Sequence, residues 1–302
     1  MNLEDIKIFS EKIPGKIFFN YNLKKNNWFN IGGKTKIFFK PEDLNELISF
    51  LKLYNNRSKI FILGAGSNIL FPDSTFEGTV IKLGKNFSNL TILNKEIIIA
   101  GSIISDKKLS EFACDNNLSG FEFLSCIPGT IGGGIRMNSG CFGREFKDVL
   151  LSVQAVDMSG KVITIPRDKI NFSYRGCSLP KDLIFLSASF QGKLSNKNLI
   201  NETIIALKKK KELSQPTQVK TGGSTFKNPI EQTDEKVWEI IKRSVPLNVQ
   251  FGDAMISKKH CNFFINKGNA SCQDMKKLVK FVKDQVFSKT GIKLSLEIIL
   301  VE

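Results

Sequence analysis

Between Cys126 and Gly143 the chain reads CIPGTIGGGIRMNSGCFG, with glycine at 129, 132, 133, 134, 140 and 143. A glycine placed in regular structure costs about 0.5–1 kcal/mol of chain entropy relative to alanine. A segment that repeats this cost is one whose backbone must come close to something bulky, and the Thr130 and Ser139 hydroxyls stand among the glycines. No GK[ST] follows, so this is not a Walker loop. A second glycine signal, ILGAGSNIL, covers 62–70. There a strand enters Gly64-Ala65-Gly66-Ser67-Asn68, whose successive N–H groups can form an anion nest. The dinucleotide fingerprint needs a third glycine at 69 and a helix after it; the chain has Ile69, then Phe71-Pro72-Asp73, which stops a helix. A Rossmann site is therefore disfavoured. A phosphate loop of another type stands beside the plainer reading of a glycine turn, as a structural glycine-rich loop does for 126–143. Two separate glycine loops point to a ligand with a pyrophosphate, shared between two lobes.

The 302 residues suggest two to three domains. Residues 41–54, PEDLNELISFLKLY, predict a helix with Pro41 in its first turn, Glu42 and Asp43 at its positive end, and Leu44, Leu47, Ile48 and Leu51 on one face. Segments 59–63, 79–83 and 96–100 predict short strands, and Ser105 starts a helix carrying Leu109, Phe112 and Ala113. Segments 150–157, 161–165 and 184–190 predict strands of one sheet. A helix follows over 201–213, ending in Lys208–Lys211, a run that reads as a solvated face. Pro216 and Gly222-Gly223 place a boundary near 213–216. Beyond it Thr233 begins a helix, Ser271 and Asp274 form a capping box, Gly291 closes that second helix, and KLSLEIILV predicts a terminal strand. The fold class is α+β.

No apolar run approaches the roughly 20 residues that span a bilayer, and MNLEDIKIFS is no secretory signal, so a cytoplasmic protein without membrane attachment is expected. The net charge of +15 first suggests nucleic acid, but the lysines are scattered through the chain instead of gathered into a groove. No nucleic-acid partner is expected; positive potential can attract small anionic substrates. The six cysteines form no CxxC pair, and the lone histidine is His260. That excludes a zinc cluster and leaves the cysteines as small buried thiols, with no metal expected.

Three polar residues stand in unlike settings: Arg175 in FSYRGCS, Ser224 in KTGGSTFKNP, and Glu297 within the apolar LSLEIILV. Each has a plain reading, Ser224 as a loop serine and Glu297 as an outward residue of an edge strand. Sequence spacing alone does not bring them together.

Taken in order, NWFNIGG (27–33), LGAGSN (63–68), IPGTIGGG (127–134), MNSG (137–140), SYR (173–175), GGSTFKNP (222–229), GDAMISKKHCNFFIN (252–266) and LSLEI (294–298) resemble the UDP-N-acetylenolpyruvoylglucosamine reductase family across nearly the whole chain. The resemblance implies a three-domain α+β flavoprotein. Its FAD-binding region would be vanillyl-alcohol-oxidase-like (PCMH-type), built from subdomains at 1–81 and 82–213, with a C-terminal α+β substrate domain at 214–302. The segment between Arg175 and Ser224 is short, which resembles the compact family type lacking an inserted substrate-capping element. FAD would be held by Gly64, Ala65, Gly66, Ser67, Asn68, Pro128, Gly129, Thr130, Gly132 and Gly133. NADPH would be the co-substrate and a UDP-sugar the substrate, handled by a monomer.

The implied reaction reduces the enolpyruvyl group of UDP-N-acetylglucosamine enolpyruvate to UDP-N-acetylmuramate, in peptidoglycan precursor synthesis. Arg175 and Glu297 match the positions that stabilise charge developing on the substrate carboxylate, and Ser224 matches the family's proton donor. Tyr174, Lys227 and Asn228 match substrate-binding positions. The chain departs from the family pattern at Cys126, where a small residue is common, and at Ile299, where many relatives carry a basic residue. The alternative is another FAD-linked dehydrogenase or oxidase of the same cofactor fold, against which GGSTFKNP and the terminal glutamate argue.

Overall fold

The computed structural model describes residues 3–54 and 59–302. The chain divides into two compact units, one of residues 1–19, 37–65 and 77–211, the other of 20–36, 66–76 and 212–302.

The first unit is built on a five-stranded antiparallel sheet in the order Val162–Pro166, Leu150–Val156, Ile184–Gln191, Ile97–Gly101, Leu90–Leu93. Ile184, Phe185 and Leu186 are all buried, and from Leu186 to Gln191 buried and half-buried residues alternate, so the strand is covered on both faces at its start and on one beyond. The helix Asp106–Asp115 supplies Leu109 and Ala113 to a core with Ile98, Val153, Phe146 and Phe190. Ser105 caps it by accepting from the Lys108 N–H at 3.2 Å. A second core gathers around the helix Leu44–Tyr54, where the Phe39 and Phe50 rings lie 4.3 Å apart. A four-stranded sheet runs Lys16–Asn22, Lys34–Lys40, Phe76–Ile81, Lys59–Ile62, the last two parallel.

The second unit carries an antiparallel sheet in the order Lys220–Ser224, Phe263–Asn266, Ala254–Ile256, Gln250–Phe251. The helices Val237–Ser244 and Cys272–Thr290 pack on it through Ile240, Ile241, Met275, Leu278 and Val282, with Phe29, Ile31 and Leu70 in the same core. The Ser271–Asp274 capping box forms as expected, each side chain accepting from the other residue's N–H at 3.0 Å. Asp73 adds a second cap, accepting from the Cys272 and Gln273 N–H groups at 2.8 and 3.0 Å. Gly291 ends the helix at φ +71°.

Four expectations need correction. Pro41 and Glu42 precede the helix, which begins at Leu44 because Asp43 accepts the Glu46 N–H at 2.9 Å and so takes the cap. Lys197–Ser214 is longer at its start than 201–213. The helix expected from Thr233 begins at Val237, where the Asn228 side chain accepts the first N–H at 3.0 Å. The terminal strand shrinks to Ile299–Leu300, parallel to Ile69–Leu70, plus a single bridge between Leu296 and Phe226.

Candidate active site

In the loop after Lys59–Ile62, the N–H groups of residues 64 to 68 have no hydrogen-bond acceptor among the described residues. That is the property an anion nest needs. No helix follows; the chain enters Ile69–Leu70. Gly66 is fixed by sterics. Its φ is +70°, a Cβ would collide with the Asn26 carbonyl, and its own carbonyl accepts from the Trp28 N–H at 3.0 Å. Gly64 lies against the second glycine segment: a Cβ there would stand 2.7 Å from Thr130 Oγ1.

The second segment differs from the expected open loop. Gly132, Gly133 and Gly134 lie in a short helix, Ile131–Arg136. The Ile131 and Gly132 N–H groups donate to the Ile104 and Ser102 carbonyls, both at 2.9 Å, and Gly134 N–H donates to Thr130 O at 2.8 Å. A Cβ on Gly134 would collide with the Phe146 ring. Gly129, Thr130 and Gly133 are the positions from 129 to 134 whose N–H groups have no acceptor among the described residues. A Cβ on Gly133 would meet nothing nearer than Thr130 Oγ1 at 3.7 Å. Beside them the buried Ser102 Oγ and both carboxyl oxygens of buried Asp106 lack partners among the described residues. Burial without a partner holds Asp106 well above the usual carboxylate range. Unpaired N–H groups, an unhindered glycine and unpaired buried polar atoms fit a large anionic group such as the FAD pyrophosphate.

Arg175 sits at φ +57° in the two-residue turn between Phe172–Ser173 and Gly176–Cys177. The MNSG stretch holds that turn from two sides. Arg175 Nη2 donates to Gly140 O at 3.0 Å, and the fully buried Asn138 donates through Nδ2 to Ser173 O at 3.1 Å. Asn138 also donates to Glu145 at 2.9 Å and accepts from the Lys147 N–H at 3.1 Å, which fixes its amide. The Arg175 guanidinium lies 5.1 Å from the Tyr174 ring centre.

In the other unit, Ser224 ends the strand Lys220–Ser224 after an irregular register at Gly222-Gly223. Gly222 presses on the Phe29 ring; Gly223 has φ +81° and open space. The next residues leave the sheet and pair with the C-terminal segment: Glu297 N–H donates to Thr225 O, and Lys227 N–H to Ser295 O, both at 2.9 Å. Asn68 Nδ2 donates to Glu297 O at 2.9 Å, and Ile299 N–H returns to Asn68 O at 2.9 Å. The backbone of Glu297 is thus held from both sides, one residue from Ser224. The structure brings Asn68, Ser224, Lys227 and Glu297 together, while Arg175 and Tyr174 have their own anchors in the first unit.

Sequence reasoning missed the residues that do the holding. Buried Asn262 accepts from Phe226 N–H at 3.0 Å and donates to Phe226 O at 2.9 Å, replacing a strand partner for 225–227. Buried Asn266 donates to Phe29 O at 2.9 Å. The available signal was two amides inside the apolar run CNFFIN, each requiring a partner once buried. His260 proves structural: its Nδ1 accepts the Asn262 N–H at 3.3 Å, its ring meets Phe263, and burial lowers its pKa.

Comparison with known proteins gives concordant matches. Residues 215–301 match the family model for the UDP-N-acetylenolpyruvoylglucosamine reductase C-terminal domain, and 35–166 match an FAD binding domain. The chain is 61% identical over 298 residues to the UDP-N-acetylenolpyruvoylglucosamine reductase of Pelagibacter ubique (strain HTCC1062), covering 99% of each. It is 43% identical over 286 residues to that of Rickettsia bellii (strain RML369-C), covering 95% of this chain and 94% of the relative. Among solved structures, the reductase from Thermus caldophilus superposes with a TM-score of 0.81 at 27% identity, covering 96% of this chain and all of that one.

Proposed function

The chain belongs to the UDP-N-acetylenolpyruvoylglucosamine reductase family, and from that premise we propose how its residues divide the work. It is an FAD- and NADPH-dependent UDP-N-acetylmuramate dehydrogenase of peptidoglycan precursor synthesis. FAD, when bound, supplies hydride transfer from NADPH to the β-carbon of the enolpyruvyl group. The N–H groups of 64–68 and of Gly129, Thr130 and Gly133 hold its pyrophosphate, with Pro128 and Gly132 shaping that contact; the unpaired N–H groups support this reading.

As hydride arrives, negative charge grows on the substrate carboxylate. Arg175 meets that charge with a guanidinium whose turn is fixed by Asn138 and Gly140. Glu297, carrying a proton, donates a hydrogen bond to the same developing charge. Ser224 delivers the proton to the α-carbon; close positioning beside a strongly basic carbon offsets the weak acidity of a hydroxyl. The single observation that carries this assignment is the Glu297 N–H bond to Thr225 O, which sets the carboxylate residue one position from Ser224.

Tyr174, Lys227 and Asn228 bind the UDP-sugar. Asn228 does so while its Oδ1 caps the helix Val237–Ser244. The division into 1–81 and 82–213 for FAD and 214–302 for substrate is the one the family resemblance implies; the apolar cores cut across it, since Phe29, Ile31 and Leu70 share the core of Met275, and Val156 and Ile184 that of Phe50. The enzyme works as a cytoplasmic monomer on small molecules, without nucleic acid or membrane; no helix among the described residues is long and apolar enough to cross a bilayer.

Steady-state turnover of UDP-N-acetylglucosamine enolpyruvate with NADPH tests the assignment. Glu297→Gln and Arg175→Lys are each expected to lower kcat by roughly 10²–10³-fold with flavin content unchanged. Unchanged kcat in either variant overturns that residue's role.

A further inference from the structure

Residue 297 lies in a break between two short pairings. Before it Leu296 makes a single bridge with Phe226, and after it Ile299–Leu300 runs parallel to Ile69–Leu70. Neither a helix nor a longer strand contains it, so the direction of its peptide planes is set by individual hydrogen bonds. The Glu297 N–H is held by a backbone carbonyl, that of Thr225. Its carbonyl is held by a side chain, the Asn68 amide, at 2.9 Å and across 229 positions of sequence. The Asn68 carbonyl completes the arrangement by accepting from Ile299 N–H at 2.9 Å. Asn68 thus grips Glu297 and Ile299 as a further strand residue would, and fixes the peptide plane that follows the Glu297 Cα. Its own place is secured by the strand after it, which carries the fully buried Leu70. An anion nest needs only a backbone N–H at 68 and no particular side chain. The contact with Glu297 is what requires the amide.

We propose that Asn68 is a positioning residue for reduction of the enolpyruvyl group: through its hydrogen bond to the Glu297 carbonyl, its side chain aims the Glu297 carboxyl at the charge developing on the substrate, while its share in holding FAD is confined to its backbone N–H. The inference rests on the role given to Glu297 above. The carboxyl stands at the end of two methylene groups, so a small tilt of the backbone carries it by about 1 Å, and a misplacement of that size costs up to about 10²-fold in rate. Asn68 does not touch the reacting atoms in this scheme; it acts through Glu297, and its loss leaves hydride transfer from NADPH to the flavin unaffected.

The test compares Asn68→Ala, Glu297→Gln and the double variant as full-length proteins. Asn68→Leu, close in shape, uncharged and without a donor, takes the place of Asn68→Ala should the latter not fold. FAD affinity is read by flavin fluorescence quenching on the apoprotein, and the two half-reactions by stopped-flow absorbance of the loaded enzyme. In Asn68→Ala, FAD affinity should stay within about twofold of the parent and reduction by NADPH should keep its rate. Reoxidation by UDP-N-acetylglucosamine enolpyruvate should slow by roughly 10–10²-fold. Adding Asn68→Ala to Glu297→Gln should slow reoxidation by no more than about twofold further, because both changes act on one carboxyl group. Parental reoxidation in Asn68→Ala overturns the proposal, as do losses that multiply in the double variant. FAD affinity lowered by about tenfold or more also overturns it, since the side chain would then be a cofactor ligand. Parental reoxidation in Glu297→Gln alone overturns the role of Glu297, and this inference with it.

Discussion

The two glycine segments read alike in the sequence and do different work in the fold. From 64 to 68 every N–H is without an acceptor among the described residues. From 129 to 134 the N–H groups of Ile131, Gly132 and Gly134 are already engaged by Ile104, Ser102 and Thr130. Gly134 exists because a ring occupies the space of its Cβ, whereas a Cβ on Gly133 would meet only Thr130 Oγ1, at 3.7 Å. Glycine therefore marks close approach to protein at 134 and 66, whereas at 133 the proposed function assigns the approach to a ligand. Residue type alone does not distinguish these cases; the neighbour does.

Substitutions separate the two kinds of glycine. Gly66→Ala forces a side chain into positive φ and into the Asn26 carbonyl. It is expected to cost roughly 2–5 kcal/mol in chemical denaturation of the apoprotein. A loss below about 1 kcal/mol would show that the loop relaxes freely. Gly134→Ala meets the Phe146 ring and should cost about 1–3 kcal/mol. The surviving folded protein should bind FAD with parental affinity, measured by flavin fluorescence quenching.

Asp106 sharpens the contrast from the side of the buried polar atoms. Its folded pKa is raised, so above the ordinary value of 3.8 the unfolded chain ionises while the folded chain must stay protonated. The penalty is absent below that value and grows as pH rises toward the folded pKa. Asp106→Asn in the apoprotein should therefore be more stable than the parent at pH 7, by about 1–3 kcal/mol, with the gap closing on acidification below about pH 4. A gap that does not depend on pH contradicts a neutral, unpartnered carboxyl. Gly133→Ala has the smallest effect on folding, within about 0.5 kcal/mol, because the added methyl makes only an ordinary contact, with Thr130 Oγ1 at 3.7 Å. Its FAD affinity should nevertheless fall at least about tenfold; parental affinity would place the flavin elsewhere.

Local chemistry made much of the fold legible. Ser105, the Ser271–Asp274 box and Gly291 each bound their helix as their side chains or backbone freedom dictate. The hairpin Leu150–Val156 to Val162–Pro166 follows from alternation and from Gly160 at φ +86°. The failures share a cause. The terminal run LSLEIILV has strand composition, yet Asn68 takes the Glu297 carbonyl and Asn262 takes the backbone of Phe226 on the facing segment, leaving a two-residue strand. IGGG reads as loop but is helical because Ile104 and Ser102 pin its first N–H groups. At the site, the motifs pointed to Ser224 and Glu297 through family resemblance; no spacing rule foretold that Thr225 would pair with Glu297.

The most direct test separates the two half-reactions of Ser224→Ala by stopped-flow absorbance of the flavin. Reduction by NADPH should keep its parental rate, while reoxidation by UDP-N-acetylglucosamine enolpyruvate should fall by roughly 10²–10⁴-fold, the range lost with a positioned acid. Reoxidation at the parental rate, with reduction also intact, would contradict the account and require another proton donor.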